Sequence, residues 1–585
     1  MNIFLSLLFV ASFFALFFGV YLFEKTKQNI NAVIWIVPSL FICFSLLAVF
    51  CGIINMFKVP INLVTGSIGN LLISAVFWYF IAVKKRIQGF YFKIQDLIAF
   101  LVIISIAVFY SIGQFGIDIH PNYETSDPFI HLQAAMDIIN KGNLNSMFFS
   151  ALINSLLIRV FSVVIPLTYS YKVFIVIDMA FFAMSGLVYY SVASNRTNGI
   201  VKRIIALVLC FFYMISYPLN NMVFGFCYLG ISVSLIAVVL MLLSEYNNSE
   251  FNNYFLTSAL MSCMLAISMS YILFAPAVYI ATFIVVAKPF LKNKKLFSGK
   301  HILQQISIFL IPCVLSLYYF VINNKGFSIG GVAGEGYIYR DIISNFFFLI
   351  FPVIAYLVKS AIEKNLAPDI VFFVAFSAYF VVAFFLMLKG NLSTYYFYKT
   401  YYPLSLICFL MAFEYVNSIK KEQIYVPICY VATVSLLFGI SEAGIETKLV
   451  QRNPLYCNRT AVHDLFDIYH FNTSKIFSQD KDNREKKWDM RMELYNYVVD
   501  NCNPDNNVYL ADSWLNVYWY EAVTNQRFSP SYTWINMDDF KEFYKNCEYV
   551  VIIPESEDYK GNIDVFGNIS EVLYENEIGY VARIK

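Results

Sequence analysis

Three carboxylates and two histidines lie within one short stretch of this chain, at Asp118, His120, Glu124, Asp127 and His131. Glu124 precedes Asp127 by three residues, which is close enough for the two carboxylates to converge on one cation or one hydroxyl group. A carboxylate whose pKa is raised by burial or by a neighbouring negative charge is a suitable general base for a hydroxyl group. This stretch is therefore the candidate catalytic site, in which Asp118 and His120 add acid and base capacity.

The residues that follow carry the signature of a short helix. An aspartate before a proline, here Asp127 and Pro128, is typical of a helix start, and Gly142 is typical of a helix end. The pattern predicts a helix from Asp127 to Asn140, with His131 one turn further along the same face. Asp127 has two interpretations: an N-cap worth about 1 kcal/mol to helix stability, or the principal reactive carboxylate. The presence of two of the chain's five histidines in this loop favours the reactive role.

The composition indicates that this loop belongs to a membrane protein. Of the 585 residues, 59% are hydrophobic and only 14% are charged, whereas about a quarter of the residues of a soluble domain are charged. A single soluble core cannot bury so much apolar surface, so an ordinary soluble enzyme, a disordered chain and a coiled coil are excluded. The net charge of +2 argues against nucleic acid as a partner.

Charge and hydropathy divide the chain into four regions. Apolar runs of about 20 residues predict a polytopic α-helical membrane protein with about 14 spans. The C-terminal region carries 15 Lys+Arg and 24 Asp+Glu, which indicates a separate water-soluble domain. Basic residues concentrate in cytoplasmic loops, and their distribution places the N-terminus, the candidate loop and the C-terminal domain outside the cytoplasm. The predicted regions are N-terminal transmembrane helices at 1–113, an external catalytic loop with a surface helix at 114–146, further transmembrane helices at 147–440 and an extracytoplasmic α/β domain at 441–585.

Two segments have alternative topologies that give the same number of spans. Residues 147–166 either cross the membrane or lie flat on it, and residues 254–287 then cross once or twice, respectively. Arg159 favours the flat arrangement, because an arginine deep in a span costs roughly 2.5–3.5 kcal/mol on insertion scales. Asp178, an ionisable residue in an apolar run, lies near the candidate loop in the flat arrangement and near the cytoplasm in the other.

Two basic residues on the predicted external side are candidates for binding an anion. Lys399 lies in a run rich in tyrosines, and Arg340 follows a glycine-rich loop that we interpret as a flexible flap. Because lysine and arginine are biased towards cytoplasmic loops, external copies can serve to neutralise an anion. The tyrosines around Lys399 have two interpretations, an interfacial aromatic belt or part of the site.

The C-terminal domain shows no motif for catalysis or for metal binding. Apolar runs at 507–512 and 549–554 predict buried strands, residues 489–500 predict a helix and residues 571–583 predict a hairpin. Such a domain would bind an acceptor or cover the active site. A disulfide between Cys502 and Cys547 is conceivable if the domain faces an oxidising compartment.

The segment from Ser126 to Gly142 resembles the first external loop of the GT-C superfamily of integral-membrane glycosyltransferases. Members of that superfamily carry one or two acidic residues after a transmembrane helix, then a helix along the membrane surface and further spans, and many end in a soluble extracytoplasmic domain. The chain is more similar to the bacterial branch than to oligosaccharyltransferase or protein mannosyltransferases. It departs from the commonest plan in having four predicted spans before the loop instead of one.

The resemblance implies a specific activity and roles for the candidate residues. A sugar on a polyprenyl-phosphate donor would be transferred, with inversion, to a cell-envelope glycan, lipid or protein at the outer face of a bacterial cell membrane. Asp127 would be the base or principal acidic residue, with Glu124 as its partner, either directly or through a divalent cation such as Mg or Mn. His131 would hydrogen-bond the substrate, and Lys399 and Arg340 would bind the donor phosphate.

Two other functions share parts of this pattern. Polysaccharide polymerases or ligases also combine a multi-span body with an external loop, but they typically use external arginines, and Arg340 is the clear external-loop arginine here. A flippase or transporter of lipid-linked sugars would place ionisable residues near the membrane midplane and often shows inverted repeats. Neither feature stands out in this sequence.

Overall fold

The computed structural model describes residues 2–197, 199–248, 254–292, 299–322, 342–420, 423–442, 466–477, 481–503, 506–524 and 537–584. Four long helices precede the candidate loop: Asn2–Leu22, Ile36–Met56, Leu63–Ala82 and Ile94–Phe115. The loop contains the helix Asp127–Lys141, which we call the loop helix. It ends at Gly142, whose φ of +70° is the left-handed conformation typical of a C-terminal glycine. The helix predicted from Asp127 is thereby confirmed.

The body of the protein is a bundle of helices between the loop and residue 442. The helices are Phe148–Phe161, Ser170–Asn195, Ile200–Ile215, Tyr217–Phe224, Cys227–Asn248, Tyr254–Ser270, Ala275–Lys292, Gly299–Leu317, Ile342–Ile362, Pro368–Leu388, Thr394–Tyr398, Tyr401–Ser418 and Tyr425–Glu442. Short 3₁₀ turns at Leu167–Tyr169 and Ile272–Phe274 and a π turn at Tyr318–Ile322 lie between them.

Within the described residues, ten helices are long and apolar enough to cross a membrane. Four further apolar helices are shorter, Phe148–Phe161, Tyr254–Ser270, Ile272–Lys288 and Tyr425–Ser441. The polytopic helical architecture expected from composition is confirmed in this respect. The total of about 14 spans remains a prediction.

The contacts of the segment after the loop agree with the arrangement in which residues 147–166 do not cross. The helix Phe148–Phe161 has 14 residues, fewer than the roughly 20 needed for a span. Arg159, near its end, donates a hydrogen bond to the carbonyl oxygen of Ile139 in the loop helix. The next helix begins beside the loop, since its Asp178 accepts a hydrogen bond of 3.1 Å from the Tyr123 hydroxyl.

The C-terminal region forms a small α/β domain, as predicted. Strands β1 (Ile30–Asn31) and β2 (Phe90–Tyr91) form a short parallel pair in the body, whereas β3 (Asn507–Leu510), β4 (Tyr549–Ile552), β5 (Ile569–Glu575) and β6 (Tyr580–Ile584) form the domain's sheet in the order β3-β4-β6-β5. β3 and β4 are parallel, and β5 and β6 form the predicted hairpin. The domain's helices are Asp467–Ile476, Lys481–Asn501, Trp514–Thr524, Met537–Tyr544, Glu557–Gly561 and Ile563–Phe566. Cys502 and Cys547 are free thiols, so the conceivable disulfide is not formed.

The C-terminal domain packs directly on the loop helix. The rings of Phe129 and Tyr518 are stacked, with their centroids 4.1 Å apart. Close by, the Gln133 side chain donates a hydrogen bond of 3.3 Å to Glu521. These contacts bring the domain and the loop to the same end of the helical bundle.

A buried polar cluster fixes the other end of the helix that leads into the loop. Asp96, which is fully buried, pairs with Arg203 and accepts hydrogen bonds from Asn31 and from the Tyr190 hydroxyl. A buried carboxylate is costly unless it is paired and hydrogen-bonded. The cluster therefore sets the axial register of three long helices, and with it the positions of their far ends at the loop.

Labelling of single cysteines would test the predicted sidedness. In a variant without native cysteines, we expect Asn140→Cys in the loop and Asn568→Cys in the C-terminal domain both to react with an impermeant thiol reagent in intact cells, because both positions are exposed at the end predicted to lie outside. Asn365→Cys, exposed at the end predicted to be cytoplasmic, is the control and should react only after permeabilisation. Labelling of only one of the first two sites would contradict the topology.

Candidate active site

Asp127 is the first residue of the loop helix, but its carboxylate does not cap it. The structure places Ser126 at the N-cap position, without a side-chain capping bond. The Asp127 Oδ2 atom instead accepts hydrogen bonds from the hydroxyl groups of Tyr228, at 2.8 Å, and Tyr395, at 2.7 Å. The capping interpretation is therefore replaced by one in which Asp127 faces other helices of the bundle.

A glycine permits the close approach of the loop helix to the bundle. Gly225 has a φ of +75°, and a Cβ atom there would lie 2.0 Å from the Pro128 side chain. The turn at Gly225 ends the helix Tyr217–Phe224 and leads into the helix that carries Tyr228 near its start. Any larger residue at Gly225 would push the start of the loop helix away from Tyr228.

Lys399 is buried next to Asp127. Its side chain is 2% exposed, and its Nζ atom lies 3.6 Å from the Asp127 Oδ2 atom and donates a hydrogen bond of 2.5 Å to the Tyr228 hydroxyl. Lys399 is placed by a break in the helical bundle: a short helix, Thr394–Tyr398, begins at the N-cap Ser393 and is followed by the long helix Tyr401–Ser418. The predicted external lysine and the predicted acidic residue are therefore brought together.

Aromatic rings enclose the Lys399 ammonium group. The Nζ atom lies 3.8 Å from the ring centroid of Tyr395 and 4.5 Å from that of Phe226. Rings at this distance stabilise a desolvated cation electrostatically. Three more rings lie within 6 Å, those of Tyr228, Tyr396 and Tyr271. The tyrosines near Lys399 thus line the site, and the interfacial-belt interpretation does not hold for Tyr395.

Charge and burial act in opposite directions on Asp127. Burial by itself raises the pKa of Asp127, but the Lys399 ammonium group, with help from the Tyr395 and Tyr228 hydroxyl groups, outweighs it and lowers that pKa below its usual value. Burial lowers the pKa of His131 to about 4, despite the nearby Asp127 carboxylate. At neutral pH the site therefore holds an ionised Asp127 next to Lys399, and a neutral imidazole, whose ring lies 4.3 Å from that of Tyr228. We call these five residues, Asp127, His131, Tyr228, Tyr395 and Lys399, the Asp127 pocket.

Glu124 does not join Asp127 in the structure. Its Oε2 atom lies 2.8 Å from the Nζ atom of Lys475, which belongs to the C-terminal region. The carboxylates of Asp127 and Glu124, the two predicted ligands of a divalent cation, are thus each paired with a lysine. In the described part of the chain, no cluster of three or more His, Cys, Asp or Glu residues is arranged to hold a metal ion. This arrangement does not fit a resident metal held by Asp127 and Glu124.

The other candidates from the sequence lie around the pocket and not in it. Asp118 is exposed, and its main-chain carbonyl accepts a hydrogen bond from Lys172. His120 is buried, with its Nε2 atom 2.8 Å from the Asp489 carboxylate of the C-terminal domain. Asp178 is buried behind the loop against Tyr123, as described above. Arg340 and the glycine-rich loop at 330–336 lie outside the described residues.

Sequence reasoning missed two functional contacts. Tyr228 stands at the start of an apolar run, where tyrosines are common in any membrane protein, so nothing marked it as a partner of Asp127. Lys475 stands in the C-terminal region, more than 300 positions from Glu124, and a salt bridge between distant residues leaves no local signal in one sequence.

Comparisons with known proteins give a likeness in fold. No family model matches the chain, and no curated protein matches it. Among solved structures, the crystal structure of ArnT from Cupriavidus metallidurans bound to undecaprenyl phosphate is similar over 83% of this chain and 97% of that one, with a TM-score of 0.46 and 10% identity. The apo crystal structure of the same protein gives the same coverage and identity with a TM-score of 0.45.

Replacing Lys399 would test the electrostatic design of the pocket through stability. In Lys399→Met the Asp127 carboxylate keeps its burial and loses its main compensating charge, so we expect a loss of about 3–5 kcal/mol at pH 7 if the carboxylate stays ionised. The pKa of Asp127 would then lie above its unfolded value. A carboxyl group whose pKa is higher in the folded state than in the unfolded state destabilises the folded state increasingly as the pH rises through these two pKa values. In the wild type the pKa of Asp127 is lowered, so that its carboxylate stabilises the folded state instead. The deficit of the variant should therefore shrink between pH 7 and pH 5, as measured by thermal unfolding.

Lys389→Met is the matched control for that experiment, because Lys389 is an exposed lysine ten residues before Lys399. It should unfold like the wild type at both pH values. Equal and pH-independent unfolding temperatures for Lys399→Met and Lys389→Met would contradict the pairing of Lys399 with Asp127.

Proposed function

We propose that this chain is a membrane glycosyltransferase that transfers a sugar, with inversion, from a polyprenyl-phosphate donor to an acceptor hydroxyl group at the extracytoplasmic face. One observation carries the proposal: an ionised carboxylate and a buried ammonium group share one pocket, with Asp127 Oδ2 and Lys399 Nζ 3.6 Å apart. The pocket lies where the loop helix meets the apolar bundle, and the proposed reaction requires the donor to reach it from the membrane and the acceptor from the water.

The two charged groups match the two ends of the reaction. The acceptor oxygen attacks the anomeric carbon of the donor sugar, and its proton passes to the Asp127 carboxylate. The bond between the anomeric carbon and the phosphate oxygen breaks, and the polyprenyl phosphate leaves with the electron pair. Lys399 stabilises the negative charge that develops on the phosphate, which is worth most in a buried site. A single displacement of this kind inverts the configuration at the anomeric carbon.

Donor binding would also activate the base. In the free protein Lys399 holds the pKa of Asp127 low, which makes Asp127 a weak base. A phosphate group beside Lys399 would share its positive charge and add a negative charge near Asp127. Both effects raise the pKa of a carboxylate. The carboxylate would therefore become a stronger base only when the donor is in place.

Neutral polar groups in the pocket suit a sugar. His131 is uncharged at neutral pH, so its ring can both donate and accept hydrogen bonds. Tyr228 and Tyr395 present hydroxyl groups on aromatic rings, which can pack against a sugar face while the hydroxyl groups orient Asp127. The C-terminal domain, which packs on the opposite side of the loop helix through Phe129 and Gln133, is the part of the chain available to bind an acceptor glycan, lipid or protein.

The Asp127 pocket favours a transferase over a transporter of the same lipids. A transporter needs to bind and release its cargo, whereas a base placed next to a phosphate-binding cation is a feature of bond cleavage. Purified protein in sealed proteoliposomes, supplied with a radiolabelled polyprenyl-phosphate sugar and envelope extracts, should consume the donor and release polyprenyl phosphate. Translocation of intact donor without its consumption would overturn the proposal.

Asp127→Asn is the decisive variant for the proposed base. Asparagine has the same size and cannot accept the proton, and general base catalysis is worth roughly 10²–10⁴-fold, so we expect at least a hundredfold loss of transfer with normal expression. Asp137→Asn is the matched control, since Asp137 lies on the same helix and pairs with the exposed Lys141. Wild-type transfer by Asp127→Asn would remove the proposed mechanism.

Variants of Lys399 would test the phosphate contact, and a chelator would test the metal. From the sequence alone, Lys399→Arg is expected to be mild, because charge matters at a phosphate. The enclosure of Lys399 by five rings changes this expectation, because a guanidinium group is larger and planar. We expect both Lys399→Arg and Lys399→Met to raise the KM for the lipid donor.

A chelator tests the predicted metal, and we expect it to leave transfer by the wild type unchanged. Inhibition by a chelator that Mg or Mn reverses would restore the predicted divalent cation.

A further inference from the structure

The helix Asp467–Ile476, which we call the strut helix, is connected to Lys399 through Asn220 and to Asp127 through Glu124. It is the first described helix after residue 442, and it lies against the end of the helix Ile94–Phe115. That contact is close, because a Cβ atom on Gly113 would lie 2.6 Å from the Ile476 side chain. The strut helix thus packs against the helix that leads into the loop.

One contact of the strut helix leads to Lys399. Asn472, which is fully buried, donates hydrogen bonds of 3.1 Å and 2.8 Å to the carbonyl oxygens of Ile215 and Ser216, where one helix ends and the next begins. Its Oδ1 atom accepts a hydrogen bond of 2.9 Å from the Asn220 side chain. Every polar atom of this side chain therefore has a partner in the membrane-embedded body.

Asn220 connects Asn472 to the tyrosines on either side of Lys399. Its Oδ1 atom accepts hydrogen bonds from the hydroxyl groups of Tyr398, at 3.1 Å, and Tyr402, at 2.6 Å. Tyr398 immediately precedes Lys399, and Tyr402 lies in the first turn of the helix that follows it. The break between the two helices that flank Lys399 is therefore connected to Asn472 through the side-chain amide of Asn220.

The other contact of the strut helix leads to Asp127. Lys475, one turn after Asn472, forms the 2.8 Å ion pair with Glu124. The main chain of Glu124 is held in turn by a hydrogen bond of 3.0 Å from its N–H to the carbonyl of Val223. Glu124 lies three residues before Asp127, at the entry to the loop helix.

We propose that the strut helix sets the separation of Asp127 and Lys399, with Asn472 and Lys475 as positioning residues that act through Asn220 and Glu124. On this basis Glu124 serves as an anchor for Lys475 and is not a partner of Asp127 in catalysis. The C-terminal domain would then be required for activity even with substrates that it does not bind. The expected effects on kcat rest on the proposed function, whereas the role of the strut helix in setting the separation of Asp127 and Lys399 does not.

A charge swap separates an anchor from a catalytic group. In Lys475→Met the loop loses its anchor, and because small displacements at a reacting site can cost about 10²-fold, we expect kcat to fall ten- to a hundredfold with little change in the KM for donor. The unfolding temperature should change little, since the pair is half-exposed. The double variant Glu124→Lys with Lys475→Glu restores the ion pair and should recover most of kcat. Failure of the swap to recover activity beyond that of Glu124→Lys alone would overturn the anchor role and return Glu124 to catalysis.

Two further variants make the kinetic test specific. Lys486→Met removes a similar ion pair, 3.0 Å from Glu577 and well exposed in the same domain, and should leave kcat unchanged. Asn472→Ala removes the contact that leads to Lys399 and should lower kcat as Lys475→Met does. If Asn472→Ala folds and retains wild-type kcat, the path through Asn220 is excluded.

A distance measurement tests the strut without any enzyme activity. Spin labels at Asn140→Cys, in the loop helix, and at Asn391→Cys, before Lys399, lie at exposed positions on the two halves of the site. In a background without native cysteines, we expect a narrow distance distribution that broadens in Lys475→Met and narrows again in the charge swap. An unchanged distribution in Lys475→Met and Asn472→Ala would overturn the inference, whereas absence of transferase activity in the wild type would overturn the proposed function alone.

Discussion

The cost of burying a charge governs the architecture of this protein. Lys399 is removed from water at the edge of an apolar bundle, where an uncompensated ammonium group would be strongly unfavourable. The Asp127 carboxylate, the Tyr228 hydroxyl group and a shell of aromatic rings compensate it together. Each of these groups comes from a different part of the chain, so the pair can exist only if the loop helix, the helix at Tyr228 and the break before Tyr401 all meet at one point.

The same constraint explains how the helices are held in register. Polar side chains are sparse in the long apolar helices, and several of those that are buried pair with side chains from other helices. Asp96 and Arg203 fix one end of the bundle, and near that end the pair of Arg196 and Glu414 adds the helix Tyr401–Ser418. Asn220 and Asn472 do so at the opposite end, next to the pocket. Apolar surfaces in lipid slide past each other with little preference, whereas such pairs specify one axial position.

The C-terminal domain is therefore part of the site's framework. Its helices contact the loop from several directions, through Phe129, Glu124 and His120, and the strut helix enters the bundle itself. A soluble domain attached only by a linker would leave the loop free to move relative to the bundle. Here the loop is held between the two, which is suited to chemistry that requires a base and a cation at a defined separation.

Local pattern was sufficient for much of the fold and for part of the site. Apolar runs predicted a polytopic helical protein, the Asp127-Pro128 pair and Gly142 predicted the loop helix, and β-branched runs predicted strands β3 and β4, because each of these signals lies within a few residues. Residue type and predicted sidedness were enough to select Asp127 and Lys399 as candidate site residues. Their pairing, the role of Tyr228 and the engagement of Glu124 by Lys475 were decided only by the tertiary structure. These contacts join residues 100 or more positions apart, and one sequence carries no record of which distant groups a buried charge will meet.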